Sequence, residues 1–236
     1  MSEVDAVIKE IIPRGSNVKS FRFEAAGGIN FKAGQFFSVT INVEERPSSK
    51  YFSFSNSPTE KGYWEFTKRI TQSPFSRALV RLKVGDTAHL KLPYGTFTFE
   101  GEHKKIAMLS GGIGVTPLRS ICRYIADKGL PADVVLLFGN STEKDIIFKD
   151  DFDAIAERNK NIRVVYTLTS SDIGTGWCGK RGYIDEKMIM REIPDFKERV
   201  FFICGPPQMV RCLTDLLRER LRTVDDRIKL ENFTGY

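Results

Sequence analysis

The chain has only four cysteines and two histidines in 236 residues. Cys122, Cys178, Cys204 and Cys212 fall at scattered spacings with no CxxC pair, which argues against a disulfide framework and against a four-thiolate zinc or iron–sulfur site in this chain. His89 and His103 stand alone in polar settings, so no metal site is expected. Long apolar runs are missing too. The longest, such as Val134–Phe138, are strand-sized, far short of the ~20 residues of a membrane-spanning helix. The opening MSEVDAVIKEI carries acids and alternation, so it reads as neither signal nor transit peptide, and the cytoplasm is the expected compartment. Low-complexity tracts and residue-level repeats are absent. A net charge of +6 without arginine–aromatic interleaving argues against nucleic acid; it leaves a solvated surface or an acidic protein partner.

What is present follows two grammars, and the expected fold has two domains. Residues 1–101 read as short strands: DAVIKEII, FRFEA, FFSVTINV, YFSFS, YWEFTKRI, AHLKL and TFTFE, separated by Pro, Gly, Asn or Asp clusters. Such spacing predicts an antiparallel, six-stranded β-barrel. One helix interrupts it, where Ser73-Pro74 precedes FSRALVRL. Residues 102–236 alternate strand and helix: KIAMLS, PLRSICRYIADKG, DVVLLFG, DDFDAIAERN, IRVVYTLT, DEKMIMREI, VFFICG, MVRCLTDLLRERL and RIKLENF. These strands lack polar alternation, so they predict an α/β domain with a parallel sheet covered by helices on both faces.

Two strand-to-helix turns stripped of side chains carry the first chemical signal. They are Gly111-Gly112-Ile113-Gly114-Val115-Thr116-Pro117 and Cys204-Gly205-Pro206-Pro207. Glycine lets backbone approach a pyrophosphate, and a helix start offers it unpaired N–H groups. Neither turn is the dehydrogenase GxGxxG, and no acid stands where that fingerprint wants one, so a single-cofactor Rossmann dehydrogenase is disfavoured. A third motif lies upstream in Arg46–Pro58. If Lys50 to Ser53 is a strand, Lys50 and Phe52 face one way while Tyr51 and Ser53 face the other.

Together these landmarks resemble the ferredoxin–NADP⁺ reductase superfamily, over nearly the whole chain and in the family's order. They run Phe31–Phe36, Lys50–Ser53, Ser73–Ser76, Tyr94–Phe97, Gly111–Pro117, Cys204–Pro206 and Glu231–Phe233. The resemblance implies an FAD-binding barrel followed by a pyridine-nucleotide domain. It places Lys50 where the family's arginine meets the FAD pyrophosphate, with Tyr51 beside it. Phe52 takes the place of the tyrosine that lies against the flavin ring, and Ser53 that of the serine near flavin N5. Lysine lacks the guanidinium fork and phenylalanine lacks the hydroxyl. Phe66, Thr67 and Lys68 resemble the segment lining the adenosine half, and Ser76 the serine at the second FAD phosphate. Gly112, Ile113, Gly114, Thr116 and Pro117 would hold the nicotinamide nucleotide's pyrophosphate, with Thr169 at a neighbouring strand end. Cys204, with Gly205 and Pro206, would set a thiol beside the nicotinamide. Glu231 would be the acid near the N5 serine. Phe233 is the preferred aromatic cover of the flavin, with Tyr236 the alternative.

The activity so implied is hydride transfer from NAD(P)H to FAD, then single electrons to an external acceptor such as ferredoxin or flavodoxin. Ser53, Cys204, Glu231 and Phe233 are the expected catalytic residues. No arginine follows Thr169-Ser170-Ser171-Asp172 directly, and Lys180 and Arg181 are expected in a loop, so NADH is favoured over NADPH. Rival readings are an electron-transfer subunit of a larger complex, a flavin or ferric-chelate reductase, and a binding module that has lost tight flavin.

Overall fold

The computed structural model describes residues 2–15, 17–25 and 29–232. Its first sheet contains β1 (Ser2–Pro13), β2 (Val18–Glu24), β3 (Phe36–Val43), β4 (Arg46–Ser53), β5 (Tyr63–Arg69) and β6 (Thr87–Tyr94). They pair antiparallel in the order β4-β3-β6-β1-β2-β5. Period-two patterning explains the curl: Phe21 and Phe23, Phe37 and Val39, and Leu90 and Leu92 all turn inward onto one core with Ile8, Phe54 and Phe66. The edge strands β4 and β5 share no ladder among the described residues. Phe52 instead stacks on Phe66, with ring centroids 4.3 Å apart, and the Ser55 N–H donates to the Glu65 carbonyl at 2.8 Å. The sheet is thus a barrel sealed at one end and splayed at the other.

Helix α1 (Pro74–Arg81) starts as its sequence dictates. Ser73 caps the Ser76 N–H, Pro74 occupies the first turn, and Phe75 and Leu79 are buried.

TFTFE forms no strand. Its alternation still buries Phe97 and Phe99, which meet Phe202 edge-on at 5.3 and 6.4 Å. Both rings join the core beneath the second sheet, so this backbone leaves the ladder to plug that core. Gly34 permits the crossing: at φ +96, a Cβ there would overlap the Phe97 carbonyl and lie 3.1 Å from Ile121 Cδ1.

The second sheet is parallel throughout, in the order β10-β9-β8-β7-β11-β12. Its strands are β7 (Lys105–Gly111), β8 (Asp133–Asn140), β9 (Ile162–Leu168), β10 (Lys180–Arg181), β11 (Val200–Gly205) and β12 (Ile228–Asn232). Helices α2 (Thr116–Lys128), α3 (Lys149–Arg158), α4 (Glu186–Glu192) and α5 (Pro207–Asp215) connect them. Ile106, Met108 and Phe138 feed the core on one face, and Ala107, Leu109 and Leu137 the core on the other. The expected glycine stop of α2 is Gly129, in the left-handed conformation at φ +60.

Two local expectations are corrected. Lys180 and Arg181 are not loop residues; they pair with Thr167 and Leu168 as a short edge strand. The last long helix keeps α-helical bonding only to Asp215, then passes into a π turn over Leu216–Arg220. Among the described residues no helix is long and apolar enough to cross a membrane.

Candidate functional site

Adjacent parallel strands β7 and β11 end side by side, with Ser110 in register with Cys204. Both chains then turn into helices, so the two glycine turns meet. The contact is backbone to backbone: a Cβ on Gly114 would overlap the Gly205 Cα and sit 2.8 Å from the Cys204 carbonyl oxygen. Ser110 Oγ ties the turns further by donating to that carbonyl at 2.9 Å. Gly112 is left-handed at φ +53, and among the described residues a Cβ there would meet nothing within 4 Å, so its backbone faces open space. Ile113 is half-buried and Thr116 buried, Pro117 lies in the first turn of α2, and Pro206 precedes α5. The two helix starts converge on one surface of bare backbone suited to a pyrophosphate.

Thr169 lies on the same carboxyl edge, but its N–H and hydroxyl both donate to the Asn140 carbonyl, at 3.0 and 3.3 Å. The side chain of Asn140 belongs to no motif and was not among the expected site residues. It is 4% exposed, and neither of its amide atoms has a hydrogen-bond partner among the described residues. An amide as the last residue of a parallel strand, one glycine beyond its apolar run, was the available signal, because ligands of such sheets bind at strand carboxyl ends.

Glu231 on β12 is in register with Cys204 on β11. Burial pushes the Glu231 carboxyl up from 4.5 to about 7, and pushes the Cys204 thiol well above its ordinary value, with the Glu231 charge adding to the shift. Cys204 is therefore a neutral thiol at physiological pH. Between 4.5 and about 7 the folded protein holds the Glu231 proton that the unfolded chain has released. Stability falls as pH rises through that window, and the penalty is fully present above it. Glu231→Gln is expected to stabilise the flavin-free protein by about 1–2 kcal/mol at pH 8, after allowance for partial exposure, and to change nothing at pH 4. Urea unfolding at the two pH values checks this. Phe233 and Tyr236 lie outside the described residues.

The third group of residues sits on the curled sheet. Lys50 pairs with Val39 and Phe52 with Phe37, and both partners are buried. Lys50 therefore belongs to the inward face of β4, yet it is exposed, because β5 diverges there and leaves that face uncovered. Across the gap, the Lys68 ammonium lies 5.9 Å from the Phe52 ring centroid. Burial first, and the Lys50 charge second, hold Lys68 below its ordinary range. Two lysines whose charges oppose each other across this face suit a diphosphate, whose negative charge offsets both effects. Ser76 lies at the start of α1, with its hydroxyl 3.1 Å from those of Thr71 and Ser73.

Other expected residues are placed less directly. Tyr51 is on the opposite face from Phe52, 62% exposed and edge-on to Phe36 and Tyr94. Phe66 is wholly in the core, reachable only as the backing of the Phe52 ring. The Thr67 hydroxyl is taken by Ser20 at 2.6 Å and Ser55 at 2.9 Å. Ser53 is buried, in register with Phe36. Cationic cradle, ring face and helix start together fit a flavin dinucleotide, and the bare turns fit a second nucleotide.

Comparison with known proteins agrees with this geometry. Residues 5–99 match the oxidoreductase FAD-binding domain and residues 108–215 the oxidoreductase NAD-binding domain. Ferredoxin–NADP reductase B of Sorangium cellulosum is 30% identical over 239 residues, covering 97% of each chain. The glycine betaine monooxygenase reductase subunit of Pseudomonas aeruginosa is 30% identical over 214 residues, 89% of this chain, which spans only 58% of that relative's length. The cytochrome b5 reductase domain of Ulva prolifera nitrate reductase shares the fold, with a TM-score of 0.83 at 24% identity over 98% of this chain and 97% of that one. Barrel, parallel sheet, paired turns and these matches lead to one conclusion: the chain belongs to the ferredoxin–NADP⁺ reductase superfamily and carries its oxidoreductase FAD-binding and NAD-binding domains.

Proposed function

We propose that this protein oxidises NADH at the carboxyl edge of the parallel sheet and delivers single electrons to a separate redox protein, ferredoxin or flavodoxin in kind. The observation that carries this reading is the backbone contact of Gly114 with Gly205, which makes one surface of bare backbone from two turns, apart from the lysines that would hold a resident dinucleotide. Bound FAD supplies the exchange between two-electron and one-electron chemistry.

The chain's own residues do the rest. Lys50 and Lys68 hold the diphosphate of the resident cofactor, and the start of α1 at Ser76 holds its second phosphate. Phe52 gives the ring a flat apolar seat, and Ser53 offers a hydroxyl at the strand's end. The Gly112–Pro117 turn and the start of α2 receive the pyrophosphate of the reductant. Cys204, kept neutral, packs beside the nicotinamide without repelling it or attacking it. Glu231, near half-protonation at neutral pH, holds or yields a proton without a large driving force.

NADH is preferred over NADPH because no cation directly follows Thr169–Asp172. The nearby Arg181 turns its guanidinium to the carbonyls of Ile173 and Gly174, at 3.5 and 3.4 Å. The net charge of +6 favours an acidic partner as the onward acceptor. A second reading, the electron-transfer part of a larger assembly, is favoured by the greater length of the monooxygenase reductase subunit.

The test is spectroscopic. The purified protein is expected to be yellow, or to become so with added FAD, and to bleach anaerobically with NADH faster than with NADPH. Added ferredoxin or flavodoxin should restore the colour. A protein that takes up no FAD sinks the proposal; faster bleaching by NADPH reverses the cofactor preference. Bleaching with no return to any soluble acceptor would favour the larger assembly.

A further inference from the structure

Arg119 is a buried cation between the two cofactor regions, and the roles proposed above leave it unused. It lies on α2, two residues beyond Pro117, and is 4% exposed. Its guanidinium donates to the Ser55 carbonyl at 3.0 Å, to both carboxylate oxygens of Glu60, and to Asp151 at 3.2 and 3.3 Å. Its neighbour Ser120 donates to the Asn56 carbonyl at 2.7 Å. Ser55 and Asn56 follow Ser53, the end of β4, by two and three residues. The first turn of α2, which carries the nicotinamide pyrophosphate turn, is therefore bonded to the chain leaving the flavin strand.

The surroundings make this joint stiff. Ser55 Oγ donates to the buried Glu65 carboxylate at 2.7 Å, and the Glu65 N–H donates to Asn56 Oδ1 at 2.9 Å. Glu65 is gripped in turn by Arg22 at 2.7 Å and Arg14 at 3.4 Å. The ring of Phe148 lies near both Arg14 and Arg119, 4.9 and 5.5 Å from centroid to guanidinium carbon. A buried network with these partners satisfied holds one geometry rather than many.

We propose that Arg119 is a positioning residue: with Ser120 it fixes the spacing between Ser53 and the Gly112–Pro117 turn, and so the reach between the two bound rings. This rests on the flavin-and-nicotinamide reading above. Hydride transfer demands near-contact geometry, and a displacement of about 1 Å costs roughly a hundredfold. The nucleotide's own contacts lie on its turn and should survive loss of the joint.

Arg119→Met, Arg119→Lys and Ser120→Ala test it with two readouts. In flavin-free protein, Arg119→Met is expected to speed amide hydrogen exchange about tenfold or more across residues 55–60 and 116–120, with β8 and β9 unchanged. In flavin-loaded protein, bleaching at saturating NADH should slow about tenfold or more while the half-saturating concentration stays within about threefold. Arg119→Lys should recover part of the rate, since an ammonium reaches one carboxylate but lacks the fork. Unchanged exchange, an unchanged bleaching rate, or a loss confined to half-saturation would each overturn the proposal. If Arg119→Met does not fold, the other two variants decide, with smaller effects of the same sign expected and wild-type behaviour overturning it. A wild-type protein that takes up no flavin would defeat the functional reading instead, and exchange alone would then decide whether Arg119 locks the two segments.

Discussion

Gly114→Ala is expected to leave a yellow protein that NADH no longer bleaches. The new methyl group would overlap the Gly205 Cα and crowd the Gly205 nitrogen, 2.9 Å away. Both are backbone atoms at the end of a central strand, so no side chain can swing aside to make room. Overpacking of this kind costs about 1–3 kcal/mol, and relief requires the two turns to part. Parting them by about 1 Å, enough to bring the new methyl and the Gly205 Cα to ordinary contact, degrades the surface that receives the reductant, and the bleaching rate should fall about a hundredfold. The clashing atoms belong to Gly205 and Cys204, not to the curled sheet, so the visible spectrum should be retained. Gly129→Ala, at the far end of α2, is the control. Its Cβ meets nothing within 4 Å among the described residues, so only the left-handed backbone at φ +60 is strained, by about 1–2 kcal/mol. Rapid-mixing absorbance separates the two. Wild-type bleaching by a folded Gly114→Ala protein would remove the paired turns from the mechanism.

Lys50→Glu should have the converse effect, a stable protein that cannot keep its flavin. The side chain is exposed on an edge strand, and surface substitutions of this type shift stability by within about 0.5 kcal/mol. Reversing a unit charge facing a diphosphate is a different matter. At an effective dielectric near 20, a single charge contact at 4 Å is worth about 4 kcal/mol. A loss of about a hundredfold or more in FAD affinity follows even after screening. The Lys68 ammonium, now beside a carboxylate rather than a second cation, would pair with it in the free protein and be less available to the cofactor. Flavin fluorescence titration measures the affinity and thermal unfolding of the flavin-free form checks the fold. Unaltered FAD binding would place the pyrophosphate elsewhere.

The architecture was legible in the sequence wherever periodicity and punctuation agree. Alternation in FRFEA and FFSVTINV, unbroken apolar strands such as VVLLF, and Gly129 closing α2 are each local facts with a local cause. The glycine turns were legible as well, because glycines crowded at a strand's end serve close backbone approach and little else. Three features were not. TFTFE has perfect strand alternation, but whether such a segment finds a ladder depends on which backbone edges are already taken. The edge strand at Lys180–Arg181 is set by partners on β9 rather than by its own residues. Arg119 sits among the apolar residues of α2, and its partners come from the chain after β4, some sixty positions earlier, and from Asp151 on α3. Asn140 lay between these cases: its position at a strand's end was visible, but an amide without a partner among the described residues was not.

The splay between β4 and β5 also bears on how the protein survives without its cofactor. From Arg46 to Lys50 the outer edge of β4 carries no ladder partner among the described residues, and bare strand edges invite pairing with another chain. This one is defended by composition: Pro47 withholds a donor, and Arg46 and Lys50 repel a copy of themselves. On the proposed reading Lys50 would have a second duty. An apolar β-branched residue there would cost flavin and, in flavin-free chains, open a template for aggregation that the lysine blocks.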